Sequence, residues 1–128
     1  MMRTISKWTL ALSFAVAGAL HFIRPDFYLR IMPDYLPWHR ALVAISGACE
    51  IAGGLLVLPE RTRRLAGWGL MALLVAVFPA NIEATLRYGT ERLNWRSVLL
   101  WARLPFQAVL IAWAWWTCLA EYPASDEA

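Results

Sequence analysis

The residue that most constrains this chain is Glu50, at the middle of the apolar run Ala41 to Leu58, ALVAISGACEIAGGLLVL. The run has the length of a membrane helix, and on insertion scales a charged residue at a bilayer centre costs about 2.5–3.5 kcal/mol. A carboxyl group is tolerated there only if it is protonated, paired, or turned toward a wet cavity inside a helix bundle. Any fold this chain adopts must supply Glu50 with a partner or a cavity.

The rest of the composition agrees with that setting. The 128 residues are 60% hydrophobic and 16% charged, with mean hydropathy +0.49, which is too apolar for a soluble domain of this size. At about 20 residues per span there is room for four membrane helices and short connections, and no soluble domain is left over. The net charge of +3 does not indicate nucleic acid, because the arginines fall in short loops between apolar runs, where they meet lipid headgroups and set orientation. Cys49 and Cys118 lie in different apolar segments with no CxxC spacing, and read as small buried thiols.

Four spans follow, at about residues 8–22, 41–58, 65–81 and 97–119, forming an all-α, up-and-down integral membrane four-helix bundle. Arg3, Lys7 and the small-residue run from Ala15 to Ala19 also suit a cleavable signal peptide; His21 favours keeping the segment as the first helix. Between the first two spans, Tyr28-Leu29-Arg30-Ile31-Met32-Pro33-Asp34-Tyr35-Leu36-Pro37-Trp38 has too many prolines for one helix and too many aromatic and aliphatic residues for a free loop. It is expected to be a lid at the membrane interface, with Pro33, Asp34, Tyr35 and Pro37 as its marks. Pro79 should loosen the third span just before Asn81, and a charged connection from Ile82 to Arg96 leads to the fourth. The tail from Glu121 is acidic and expected to fray.

Alternating helix directions put His21 at the end of span one, Asn81 at the end of span three, and Arg103 and Gln107 in the first half of span four on one side of the membrane. At 1.5 Å per residue, Arg103 and Gln107 lie about 9 and 15 Å into their span, bracketing the depth of Glu50. Arg103 and Gln107 share a helix face, as do Gly47, Glu50 and Gly54. The expected arrangement is an Arg103 to Glu50 ion pair, with Asn81 and Gln107 satisfying the remaining donors and acceptors beneath the lid. Such a network either locks the helices together or lines a pocket for a small molecule or proton. Lys and Arg are nearly balanced across the two sides, but three arginines in the Glu60 to Arg64 turn and the basic leader favour both termini in the cytoplasm.

Five stretches carry a likeness: Ala17-Gly18-Ala19-Leu20-His21-Phe22, Met32-Pro33-Asp34-Tyr35-Leu36-Pro37, Ser46 to Gly54, Phe78-Pro79-Ala80-Asn81-Ile82 and Arg103-Leu104-Pro105-Phe106-Gln107. In these the chain resembles the DoxX-like family of small four-helix bacterial membrane proteins. The resemblance implies a multi-pass protein of the bacterial inner membrane, in a family associated with quinone-linked oxidation of sulfur compounds, methylamine utilisation and membrane redox complexes. It implies an accessory or redox-associated subunit holding a small amphipathic, quinone-like ligand, with quinone as the one cofactor in view.

Two other function classes compete with that expectation. The first is a noncatalytic scaffold that meets a membrane protein partner or a second copy of itself through the glycine-bearing face of the second span. The second is a small oligomeric transporter, which a single intramembrane carboxylate favours and four spans without an inverted repeat disfavour. Independent catalysis is not expected, because the sequence contains no metal triad, no nucleophile with its base and no nucleotide loop.

Overall fold

The computed structural model describes residues 1–30, 32, 34–90 and 93–120. Among these residues it is all-helical: α1 Met2–Ile23, α2 Pro25–Arg30, α3 His39–Leu56, α4 Glu60–Tyr88 and α5 Trp95–Cys118. Three of the helices, α1, α4 and α5, are long and apolar enough to cross a membrane. The remaining long helix, α3, covers the expected second span, but its 18 residues include His39, Arg40 and Glu50.

Local chemistry sets the helix ends. Pro25 opens α2, where its fixed φ suits a first helical position and its missing N–H would have had no helical partner. Asn94 caps α5 by accepting from the backbone N–H of Arg96 (2.9 Å) and Ser97 (3.0 Å), while Ser97 Oγ accepts from the Asn94 N–H. At the Pro59 turn, Arg63 donates to the carbonyls of Val57 and Leu58, and Thr62 donates to that of Leu56, so the last carbonyls of α3 are covered by the first turn of α4.

Two boundaries differ from those expected. α1 begins at Met2 rather than near Trp8, because nothing in the short polar lead breaks a helix. α4 does not end at Asn81. It runs 29 residues, with Pro79 inside it, and the expected charged connection from Ile82 as far as Tyr88 is its last two turns. A proline removes one backbone bond and kinks a membrane helix without ending it when neighbouring helices cover the freed carbonyls. Glu91 and Arg92 of that connection, Pro33, and the tail from Glu121 lie outside the described residues.

Each of α1, α3, α4 and α5 packs against two of the other three: α1 on α3 and α5, and α4 on α3 and α5. The pairs α1 with α4 and α3 with α5 make no close backbone approach and occupy the diagonals. The buried apolar core gathers at one end, from Leu10, Phe14, Val57, Ala66, Leu70, Leu74, Ala114, Cys118 and Leu119. That end is tied by Ser6 Oγ against Thr117 Oγ1 (2.8 Å), by Trp113 Nε1 donating to Ser6 Oγ (2.8 Å), and by Arg3 donating to Ala120 O (3.2 Å). Leu12, Val16, Leu65, Val75 and Val109 are exposed around the perimeter, the apolar exterior that lipid contact requires. The polar residues singled out in the sequence lie toward the opposite end from this core.

Candidate functional site: a histidine and a glutamate at the base of a cleft

The site begins with how closely α1 and α3 approach. A Cβ placed on Gly18 would fall 2.5 Å from Gly47 O, one on Gly47 2.7 Å from His21 Cβ, and one on Gly54 2.8 Å from Ala11 O. Gly18 opposite Gly47 and Ala11 opposite Gly54 fix an antiparallel register at a seven-residue spacing. Only residues without side chains allow backbones this near.

That register brings His21 and Glu50 together. Helical side chains lean toward the N-terminus of their own helix, so on antiparallel neighbours His21 leans toward Ala17 and Glu50 leans toward Gly47, and the two tips meet. His21 Nδ1 lies 3.2 Å from Glu50 Oε2 and 2.9 Å from Ala17 O. The His21 side chain is 10% exposed and that of Glu50 16%. A ring nitrogen carries at most one proton. When Nδ1–H is committed to Ala17 O, Glu50 Oε2 is left as the one buried side-chain oxygen or nitrogen without a hydrogen-bond partner among the described residues. An unsatisfied buried polar atom costs roughly 1–3 kcal/mol, so it marks either a tolerated defect or a place kept for something else.

Tyr28 of α2 completes the enclosure. Its ring stacks on that of His21 with centroids 3.8 Å apart and planes 15° from parallel, and Phe27 meets Tyr28 edge-on. Burial, and secondarily the nearby charge of Glu50, push the Tyr28 phenol above its ordinary range, so its hydroxyl stays protonated near neutral pH. Beside this stack a cleft of about 310 Å³ opens between α1, α2 and α3. Phe22, Leu29, Val43 and Ala44 give it apolar walls, Asp26 and Arg40 are its charged lining residues, and His21 is its route inward to Glu50.

The expected Arg103 to Glu50 ion pair does not form. Their helices lie on a diagonal, and Arg103 makes no ion pair among the described residues, although its charge is felt at both His21 and Tyr28. Nor do Asn81 and Gln107 complete the Glu50 shell. They bond each other, Asn81 Nδ2 donating to Gln107 Oε1 at 2.7 Å, while Gln107 Nε2 donates to Leu74 O. Leu74 is five residues before Pro79. On the facing helix, Thr85 Oγ1 reaches Leu100 O at 3.1 Å, and Leu100 is five residues before Pro105. The carbonyls that lose a backbone donor to these prolines are four residues back, at Val75 and Trp101, so the neighbouring side chains add donors in the adjacent turn rather than at the break itself. The polar set that looked like one constellation is therefore two: a functional candidate at His21 and Glu50, and a pair of side-chain links between α4 and α5 close to their prolines.

The proline-rich segment is anchored differently from expectation. Asp34 pairs with Arg87 at 3.0 Å, Arg87 also pairs with Glu83 at 2.6 Å, and the Tyr88 hydroxyl donates to Arg30 O at 3.2 Å. Tyr35, Pro37 and Trp38 are exposed rather than closed over the polar residues. Trp38 takes a left-handed conformation, φ 53°, as the chain turns into α3. Tyr28 covers His21 instead. The sequence held one signal for it: Pro25 starts a new helix four residues after His21, and the third residue beyond that proline folds back over the imidazole. Of the two cysteines, Cys118 is buried as expected, while Cys49 is exposed because it faces away from α1 on the same helix that turns Glu50 inward.

Residues 10–118 match the family model described as Domain of unknown function (DUF8561). The chain belongs to this family. The matched stretch contains the α1 and α3 seam, the cleft and both proline breaks, so the family corresponds to the whole helical assembly. No curated protein and no solved structure matches the chain.

Proposed function

We propose that this protein is a four-span membrane protein, a four-helix bundle of the DoxX-like kind, that binds a small amphipathic, quinone-like molecule in the cleft above His21 and Glu50. In this reading α3 is the second span, tolerated in lipid because Glu50 faces α1 rather than acyl chains. The setting is a bacterial inner membrane with both termini cytoplasmic, and the role is that of an accessory or redox-associated subunit. The segment from Asp34 to Pro37 is its interfacial lid, pinned by Asp34 to Arg87. The observation that carries the reading is the unpartnered Glu50 Oε2 against His21, which itself lines a cleft whose other lining residues are mostly apolar, with Asp26 and Arg40 as the charged ones. Sites for small molecules have that character, mostly apolar with a few converging polar groups.

The test is native mass spectrometry of the detergent-purified protein with lipid extraction, comparing wild type with Glu50→Gln and Gln107→Leu. A small amphipathic molecule retained by wild type and Gln107→Leu but lost from Glu50→Gln supports the cleft as its site. Equal retention in all three variants removes it.

A scaffold reading is favoured by a separate observation, the hydrogen bonds that join α4 and α5 near Pro79 and Pro105, which account for the side chains of Asn81, Gln107 and Thr85 without any ligand. It expects Glu50→Gln to release a membrane protein partner or a second copy of the chain rather than a small molecule.

A further inference from the structure

The proposed site can be carried to a ligand class by asking which hydrogen bonds His21 has left to make. Its Nδ1 is engaged on the protein side, within reach of both Ala17 O and Glu50 Oε2. Two oxygen acceptors on that side hold the proton on Nδ1 and make Nε2, across the ring, the lone-pair nitrogen. No described residue bonds to Nε2, and Nε2 is not among the buried unpartnered atoms, whereas His21 itself lines the cleft. The stacked Tyr28 ring restricts imidazole rotation, so the acceptor keeps its direction. At His21 the cleft thus presents an acceptor, and a ligand that meets it there must bring a donor.

We infer that the cleft selects an amphiphile bearing a hydroxyl donor, of phenol or hydroquinone type, whose O–H bonds to His21 Nε2 while Glu50 Oε2 holds the imidazole in its accepting tautomer. This rests on the reading of the cleft as a binding site and adds its selectivity. Donation to Nε2 makes Nδ1–H a stronger donor, and the otherwise unpartnered Glu50 Oε2 is where that proton turns. Phe22, Leu29, Val43 and Ala44 take the ring and chain of the amphiphile. An ether or a bare ketone of equal size fits the walls but presents an acceptor to an acceptor, and a site built to pair with a hydroxyl discriminates against an analogue lacking it.

Other charged groups bear on His21 from every neighbouring element. From α3 come Glu50 and Arg40, from α2 Asp26 and Tyr28, and from α5 the field of Arg103. On α4, which packs on α3, Glu83 and Arg87 are committed to each other and to Asp34, and the remaining acid and arginines lie in the Glu60 to Arg64 turn at the far end. Glu50 acts through His21 and is a positioning residue; His21 makes the contact.

The experiment titrates full-length protein in phosphatidylcholine nanodiscs with para-octylphenol and with its methyl ether, para-octylanisole, each corrected for partition into empty discs. One net hydrogen bond predicts that wild type binds the phenol about tenfold tighter than the ether at neutral pH. That preference should fall toward unity at acid pH, where a protonated imidazole no longer accepts. His21→Phe should bind both probes alike at every pH. Glu50→Gln should bind the phenol more weakly than wild type, too weakly to keep a ligand through purification, and the preference that remains should change its pH profile, an effect that loss of packing does not produce. In ¹⁵N spectra of histidine-labelled wild type, the phenol and not the ether should move the His21 Nε2 signal. Equal binding of both probes to wild type overturns the selectivity while leaving the cleft as a site. Saturable binding of neither overturns both readings. A phenol preference unchanged in both variants overturns the roles of His21 and Glu50.

Discussion

The two long seams of this protein handle buried polarity in opposite ways. Between α1 and α3, glycines bring the backbones together, and the polar pair at their upper end is left incomplete at Glu50 Oε2. Between α4 and α5, each helix carries an internal proline, and the polar side chains of the seam are spent on one another and on backbone carbonyls of the facing helix. In lipid no water is at hand to repair a missing bond, so a satisfied network reads as structure and an unsatisfied one as a site held ready. The difference lies in what is left over, not in which seam is more polar.

The strongest way to break the comparison is to deny α1 and α3 their contact. Gly18→Leu would drive a side chain into Gly47 O and Ile51, where backbone cannot yield cheaply; overpacking of this kind costs about 1–3 kcal/mol or more. Thermal unfolding in detergent should show the largest loss of this set, together with loss of ligand retention, since His21 and Glu50 separate. Next, Gln107→Leu removes a side-chain donor from Leu74 O and leaves the Asn81 amide without its Gln107 acceptor, and membrane hydrogen bonds measured in other proteins suggest about 0.6–1.7 kcal/mol. Stability should fall and the cleft should be untouched.

Glu50→Gln sharpens the contrast from the other side. Because Oε2 has no partner to lose, its stability should change by less than about 1 kcal/mol in either direction, while ligand retention disappears. A stability loss equal to that of Gln107→Leu would make the two seams alike and remove the distinction. The smallest effect belongs to Arg87→Ala. Its contacts to Asp34 and Glu83 are near the surface, so unfolding should be unchanged, whereas backbone hydrogen exchange at residues 34–38 should quicken as the segment after α2 loses its tie to α4.

Much of this was legible in the chain, and the failures share one cause. The apolar runs located the long helices, because burying apolar length is a property of consecutive residues. The same runs misplaced the end of α4, because whether Pro79 ends a helix or only bends it depends on whether another helix can reach its carbonyls. His21, Glu50, Asn81, Arg103 and Gln107 stood out as polar groups in apolar surroundings. Their pairing did not, since similar depth in the membrane says nothing about which helices are neighbours.

By itself, then, the sequence determined that this is an all-helical chain with helices long and apolar enough to cross a membrane, that Glu50 needs a partner, and that the glycines of the second span, Gly47 and Gly54 among them, permit a close approach. These follow from transfer costs and side-chain size, which are carried by each residue and its immediate run. Only the tertiary structure decided that Glu50 lies against His21, that Arg103 stands across a diagonal, that Tyr28 is the cover, and that the Asn81 and Gln107 amides bond each other. Those outcomes depend on the order of helices around the assembly and on the antiparallel tilt of side chains across a seam, and neither is written in any one stretch of the chain.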